Sequence, residues 1–249
     1  MFRIIKADER HFADFGWLRT YWLFSFSHYY DPENIRFGPL RVFNDDLVAP
    51  KTGFPMHRHE NMEIITIVEE GQMTHRDSLG NESIIGVCDV QRMSAGTGIE
   101  HSEFNLIDIN TNFYQIWIEP NELNIEPNYA QRTYMPTKWK NTLLPIASGK
   151  EMNNAIKLHA DATIYRSTLE PGEKVTLEFD SPRRVFLYVT AGYLDIDDHT
   201  LGTKDQARFE WDKPIDIQAN FDSSFILIEL PSEKGFGYSE KTLLGKYSE

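Results

Sequence analysis

The sequence predicts an all-β fold made of two related barrels, and three observations carry that prediction. Short runs of β-branched and aromatic residues recur along the 249 residues, separated by Gly, Pro, Asn and Asp, as strands bounded by turns require. Apolar spacing of the helical kind is scarce over any long window. The third observation is an internal repeat, which a solitary barrel does not need.

Taken in chain order, the first aromatic group is Trp17, Tyr21, Trp22, Phe24 and Phe26, read as core or inter-barrel packing. Ile64-Ile65-Thr66-Ile67-Val68 reads as a strand, closed by the turn pair Glu70-Gly71. Leu79-Gly80-Asn81 marks a further turn, and Asn112 to Ile118 a second strong strand. The stretch from Tyr129 to Asn154 mixes Pro136, Pro145 and Gly149 with polar residues and reads as a connector. Pro171-Gly172 and the strand Phe225 to Leu230 complete the pattern, which suits a sandwich or barrel. The division expected is residues 1–130, then a connector and second barrel over 131–249.

The repeat aligns IITIVEEGQMTHRDSLG, ending at Gly80, with VFLYVTAGYLDIDDHTLG, ending at Gly202. Each contains an apolar strand, a glycine (Gly71 or Gly192), a shorter strand and a Leu-Gly pair. Counting back from Gly192 by the offsets of His57, His59 and Glu63 from Gly71 reaches Glu178, Asp180 and Arg184. The histidines therefore have no counterpart, and their chemistry belongs to the first half alone.

Composition narrows the function. With 38 acidic against 25 basic residues the formal charge is −13, which argues against direct binding of nucleic acid by phosphate neutralisation. The mixed-charge N-terminus and the lack of a long apolar run predict no membrane span and a cytoplasmic protein. Cys88 is the single cysteine, so an internal disulfide and a multi-thiolate zinc site are excluded. Its apolar context, IIGVCDV, predicts a buried inert thiol.

Three of the eight histidines occur in two short motifs. His57 and His59, in GFPMHRHENME, share one face of a strand because successive side chains alternate. The same period places His101 and Glu103, in AGTGIEHSEFN, on a common face. Three imidazoles and a carboxylate suit iron, nickel, cobalt, copper or zinc with open coordination positions. A pair of polar strand residues bonded only to neighbours is the competing reading. His75 reads as a hairpin side chain, and His11, His28, His159 and His199 as structural or surface residues.

Those motifs resemble the cupins. Their first pattern, G-x5-H-x-H-x3-E-x6-G, is approached by His57, His59, Glu63 and Gly71, with seven residues in place of six before the glycine. The second ends G-x2-H-x3-N and is met by Gly98, His101 and Asn105, although Gly96 stands where a proline is expected. More narrowly, GFPMHRHENMEIITIVEEGQMTHRDSLGN, DVQRMSAGTGIEHSE and the upstream HYYDPENIRFGPLRVFNDD are similar to the pirin family, especially its bacterial quercetinase-like members.

The resemblance implies two cupin barrels: a metal-binding one over 1–130, and a metal-free one within 131–249. It implies one divalent metal on His57, His59, His101 and Glu103, with Fe2+ the first expectation and Ni, Co, Cu, Mn or Zn as alternatives. The general cupin pattern offers Glu63 as the carboxylate instead, and Glu63 is then held as a residue behind the ligands or as a strand residue. The activity implied is a quercetin 2,3-dioxygenase-like opening of a flavonol ring, with Glu103 also accepting the substrate's hydroxyl proton. The partners would be a small aromatic substrate and dioxygen. The alternative is a non-catalytic metal-binding regulator that contacts a protein partner.

Overall fold

The computed structural model describes residues 2–232; positions 233–249 of the expected second half lie outside them. Strand β1 (Phe2–Ile5) is followed by β2 (His11–Asp14), β3 (Leu18–Trp22), β4 (Leu40–Val48), β5 (Thr52–His59) and β6 (Glu63–Glu70). Then come β7 (Gln72–Asp77), β8 (Glu82–Gly86), β9 (Asp89–Ser94), β10 (Ile99–Asn105), β11 (Thr111–Ile118) and β12 (Asn128–Thr133). The second half contains β13 (Leu144–Ser148), β14 (Ile156–Lys157), β15 (Thr163–Leu169), β16 (Lys174–Leu177) and β17 (Arg183–Ala191). It finishes with β18 (Tyr193–Ile196), β19 (His199–Gly202), β20 (Gln206–Trp211), β21 (Ile215–Ala219) and β22 (Ser223–Pro231). The fold is all-β, with two cupin barrels, and no helix among the described residues is long and apolar enough to cross a membrane.

Each barrel pairs a seven-stranded sheet with a four-stranded one. The first uses β12-β9-β6-β11-β4-β3-β2 with β5-β10-β7-β8, and the second uses β1-β20-β17-β22-β15-β13-β14 with β16-β21-β18-β19. The orders correspond strand for strand from β9/β20 to β3/β13 in the large sheets and throughout the small ones. The repeat seen in the sequence is therefore the fold's own plan. Gly71 and Gly192 make the same turn at φ +78° and +81°. A Cβ at either would press on the next strand, at 2.6 Å from Thr111 Oγ1 and 2.4 Å from the Asp222 carbonyl, so glycine is required twice for one reason.

Two expectations are refined by topology. β1 crosses to the second barrel and pairs with β20, while β12, inside the supposed connector, completes the first large sheet beside β9. The apolar run around Cys88 is not a strand interior: Cys88 sits between β8 and β9 at φ +76° and is only half-buried. A turn, which breaks the ladder, leaves half-buried a thiol that composition alone would bury.

The large sheets pack against each other through their outer faces. Ile65, Ile67, Phe43, Tyr114 and Ile116 from the first meet Ile164, Phe186, Tyr188, Ile226 and Ile228 from the second in one buried cluster. Each such side chain contributes on the order of 1.5–3 kcal/mol by leaving water. Of the aromatic group, Phe24 joins it, buried against Phe186 with centroids 6.1 Å apart, and Tyr21 packs at its edge, whereas Trp17 packs in the first barrel and Phe26 lies against Trp22 and Trp117. At the rim of this interface Asp45 accepts hydrogen bonds from Tyr188 Oη at 2.8 Å and pairs with Lys204 at 2.9 Å.

Candidate metal centre

The first barrel is apolar at both ends and polar between them. Leu18, Val48, Val68, Met73, Ile85 and Phe113 close one end, and Met62, Ile64, Met93, Ala95 and Ile99 line the other with Trp117. Between them the register aligns Asn44, Gln115, Thr66 and Gln91 across β4, β11, β6 and β9. Facing them, the small sheet carries the histidines. Buried polar atoms cost free energy unless they are bonded or hold a ligand, so this belt is where function is expected.

Local backbone devices aim the donors. β5 and β10 pair His57 with His101 in direct register, then slip by one residue, so that Phe54 faces Glu103. The slip occurs at Pro55, which has no N–H for the ladder and is tolerated because β5 is an edge strand. The freed Pro55 carbonyl accepts the His57 Nδ1–H at 2.8 Å, which leaves Nε2 with the lone pair. Gly53 lies just beyond, where a Cβ would stand 2.2 Å from the Glu103 carbonyl oxygen. Gly96 replaces the expected proline because its φ is +47° and a Cβ would reach 2.0 Å from the Ile125 carbonyl; proline's ring forbids that φ.

The structure brings His57, His59 and His101 together, with ring centroids 4.4 to 5.0 Å apart and donor atoms within 4.8 Å of one another. His59 Nε2 and both ring nitrogens of His101 are buried with no hydrogen-bond partner. Burial first, and then the neighbouring imidazoles, push His59 and His101 down to about 3. Both rings are thus neutral and able to donate a lone pair at physiological pH.

Glu103 reaches the centre from the other side of His101. Its donor groups with those of His101 and His75 within the same 4.8 Å limit, and it is 1% exposed. Thr66 Oγ1 donates to Oε1 at 3.1 Å and Gln115 Nε2 to Oε2 at 2.7 Å, so the polar row of the large sheet fixes the carboxylate. Of the four expected residues, His57, His59 and His101 form one group, while Glu103 joins His101 in a second group whose third member is His75.

His75 is the residue that sequence reading placed too far out. It is fully buried, stacks on Tyr129 with centroids 4.8 Å apart, and donates from Nε2 to Asp77 Oδ2 at 3.0 Å. Its register partner is Glu103, and that of Asp77 is His101. A period-two pair in the sequence, His75 and Asp77, was the available signal. Burial raises the Asp77 carboxyl, but hydrogen bonds from His75 and Asn81 outweigh it and hold the group low.

Glu63 lies elsewhere. It is buried on the face of β6 opposite Ile64 and accepts the His159 backbone N–H at 3.1 Å, tying the two halves together. The remaining histidines are structural: His11 stacks on Tyr29 at 4.0 Å, His28 meets the edge of Trp22 at 5.0 Å, and His199 stacks on Phe2 at 4.3 Å. Aromatic rings flank the centre, with Trp117 edge-on to His59 at 4.8 Å and Phe26 against Trp117 at 5.4 Å.

Comparison with known proteins agrees with this architecture. Residues 6–118 match the Pirin family, and residues 145–230 match the quercetinase C-terminal cupin domain. A pirin-like protein of Caulobacter vibrioides is 39% identical over 223 residues, covering 89% of this chain and 96% of that one. The chain belongs to the pirin family. A relative from Escherichia coli K12 named quercetin 2,3-dioxygenase is 38% identical over 232 residues, covering 93% of this chain and 99% of that protein. Among solved structures, the bacterial pirin YhhW of Escherichia coli, determined in complex with nickel(II), superposes with a TM-score of 0.88 at 38% identity, covering 93% of this chain and 99% of that one.

Proposed function

We propose that this pirin holds one divalent transition metal on His57, His59, His101 and Glu103 and acts as a quercetin 2,3-dioxygenase-like enzyme on a flavonol. The observation that carries the metal reading is the set of buried, unpartnered ring nitrogens on His59 and His101, because buried lone pairs with no N–H or O–H to accept fit an ion better than a core. The nickel in YhhW and the dioxygenase name of the Escherichia coli relative support the extension to chemistry. Iron, nickel, cobalt, copper, manganese and zinc all suit an N3O set.

The bound ion would supply Lewis acidity that favours the deprotonated form of a flavonol hydroxyl. The protein supplies the rest. Glu103 accepts the hydroxyl proton, and Thr66 and Gln115 keep its carboxylate turned into the cavity. Trp117 and Phe26 offer flat apolar walls for an aromatic ring. We further assign the metal to the first barrel alone, with the second as its metal-free partner.

The test is aerobic incubation of iron- or nickel-loaded protein with quercetin, followed through the flavonol absorbance band. Loss of the band is expected with wild type, and a fall of at least about 100-fold with His101→Ala, together with loss of bound metal. Activity retained by metal-stripped protein would overturn the mechanism. Absence of turnover with each of these metals would leave a metal-binding regulator of a protein partner as the better reading.

A further inference from the structure

His75 is better prepared as a ligand than its hairpin position suggests. Its Nε2–H is committed to Asp77, so its Nδ1 carries the lone pair, and that nitrogen is buried without a partner. Asp77 is itself anchored by the backbone N–H groups of Leu79 and Asn81, each at 3.0 Å, and by the Asn81 amide. A carboxylate behind an imidazole is the arrangement that fixes tautomer and direction in metal-binding histidines. The other trio relies on a single backbone carbonyl for His57.

We propose that His75, His101 and Glu103 form an inner seat for a divalent transition-metal ion, overlapping the outer trio of His57, His59 and His101 at the shared ring. The proposal rests on the metal reading of the barrel and extends it to a donor that the four-ligand assignment leaves out. All three side chains are at least 99% buried, and their donor atoms lie within 4.8 Å of one another. His101 has both ring nitrogens unpartnered, so a donor is available towards either trio. Two imidazoles and a carboxylate form a borderline set that takes nickel, cobalt, copper, zinc or ferrous iron and discriminates against calcium and magnesium. A merely structural His-Asp pair needs no third and fourth donor beside it. Here Glu103 is its register neighbour on β10.

The test uses the full-length protein and Ni2+ alone, with stoichiometry and affinity from equilibrium dialysis and the fold checked by circular dichroism. His57→Ala/His59→Ala deletes the outer trio and should still bind about one ion per chain, about 10–100-fold more weakly than wild type. Adding His75→Gln should abolish that binding, because glutamine can still donate to Asp77 but has no Nδ1 lone pair. His57→Gln/His59→Gln replaces the alanine pair if the latter does not fold. A folded double variant that binds no nickel, or a triple variant that binds as well as the double, overturns the inner seat alone. A wild-type chain that binds no nickel overturns the metal reading and the inner seat with it.

Discussion

The two barrels share a plan and differ in what fills them. Register and the paired glycine turns equate His57 with Leu177, His75 with Ile196, His101 with Ile215 and Glu103 with Ile217. Every one of those second-barrel residues lies in a single apolar core. The large sheets repeat the contrast, since Asn44, Gln115, Thr66 and Gln91 stand where the second barrel has Tyr165, Leu227, Leu187 and Ala207. A cupin barrel thus holds together with an oily middle, and the polar belt of the first is not a requirement of the fold. On the proposed function, the bound metal is what offsets its cost.

The strongest way to break this comparison is to carry a donor across. Ile217→Glu would place a carboxylate, without the Thr66 and Gln115 equivalents that hold Glu103, in a closed apolar core. We expect a loss of about 3–5 kcal/mol in denaturant unfolding. A loss below about 1 kcal/mol would mean that the second interior is wetter than its packing indicates.

The reverse exchange is milder. Gln115→Leu installs the residue found at the corresponding place in the second barrel and removes one of the two donors fixing Glu103. Nickel affinity in equilibrium dialysis should fall about tenfold with the fold intact. An unchanged affinity would remove Glu103, or its orientation, from the account.

A third effect, confined to one end of the pH range, separates the barrels by titration. Asp46, whose counterpart is Ser167, is buried and raised to about 7, by burial first and then by the charges of Asp45 and Glu103. The folded carboxyl keeps its proton to about pH 7, while the unfolded chain releases it near 3.8. The native state therefore binds more protons between those values, and its stability falls as pH rises through that window. In metal-free protein, Asp46→Asn should flatten the decline and gain about 1–3 kcal/mol at pH 8 with little change at pH 4, read from urea midpoints. Equal gains at both pH values would show that the carboxyl is ordinary.

How much of this was legible in the sequence depends on the range of the signal. Strand period and turn residues are local, so the barrels, the repeat and the pairs His57/His59 and His101/Glu103 could be read directly. The count back from Gly192 stopped one residue short of the register equivalents, Leu177 and Phe179 in place of Glu178 and Asp180, because the second half carries one more residue between that strand and the glycine turn. The inference that the histidines lack counterparts survives that shift. His75 was missed because its meaning arises from register with Glu103, three strands later in the chain. Cys88 was misplaced because a left-handed turn residue was hidden within an apolar run. The inter-barrel role of Glu63 depends on His159, 96 positions distant.

The crossing of β1 into the far sheet, together with the aromatic seam between the large sheets, has a consequence for evolution and for protein engineers alike. Cutting the gene at its midpoint would strip an edge from one half and lay bare a greasy flank on both, inviting clumping before either piece could work. The second half covers the outer face of the first large sheet and takes β1 into its own, so each half shields surface that the other would expose.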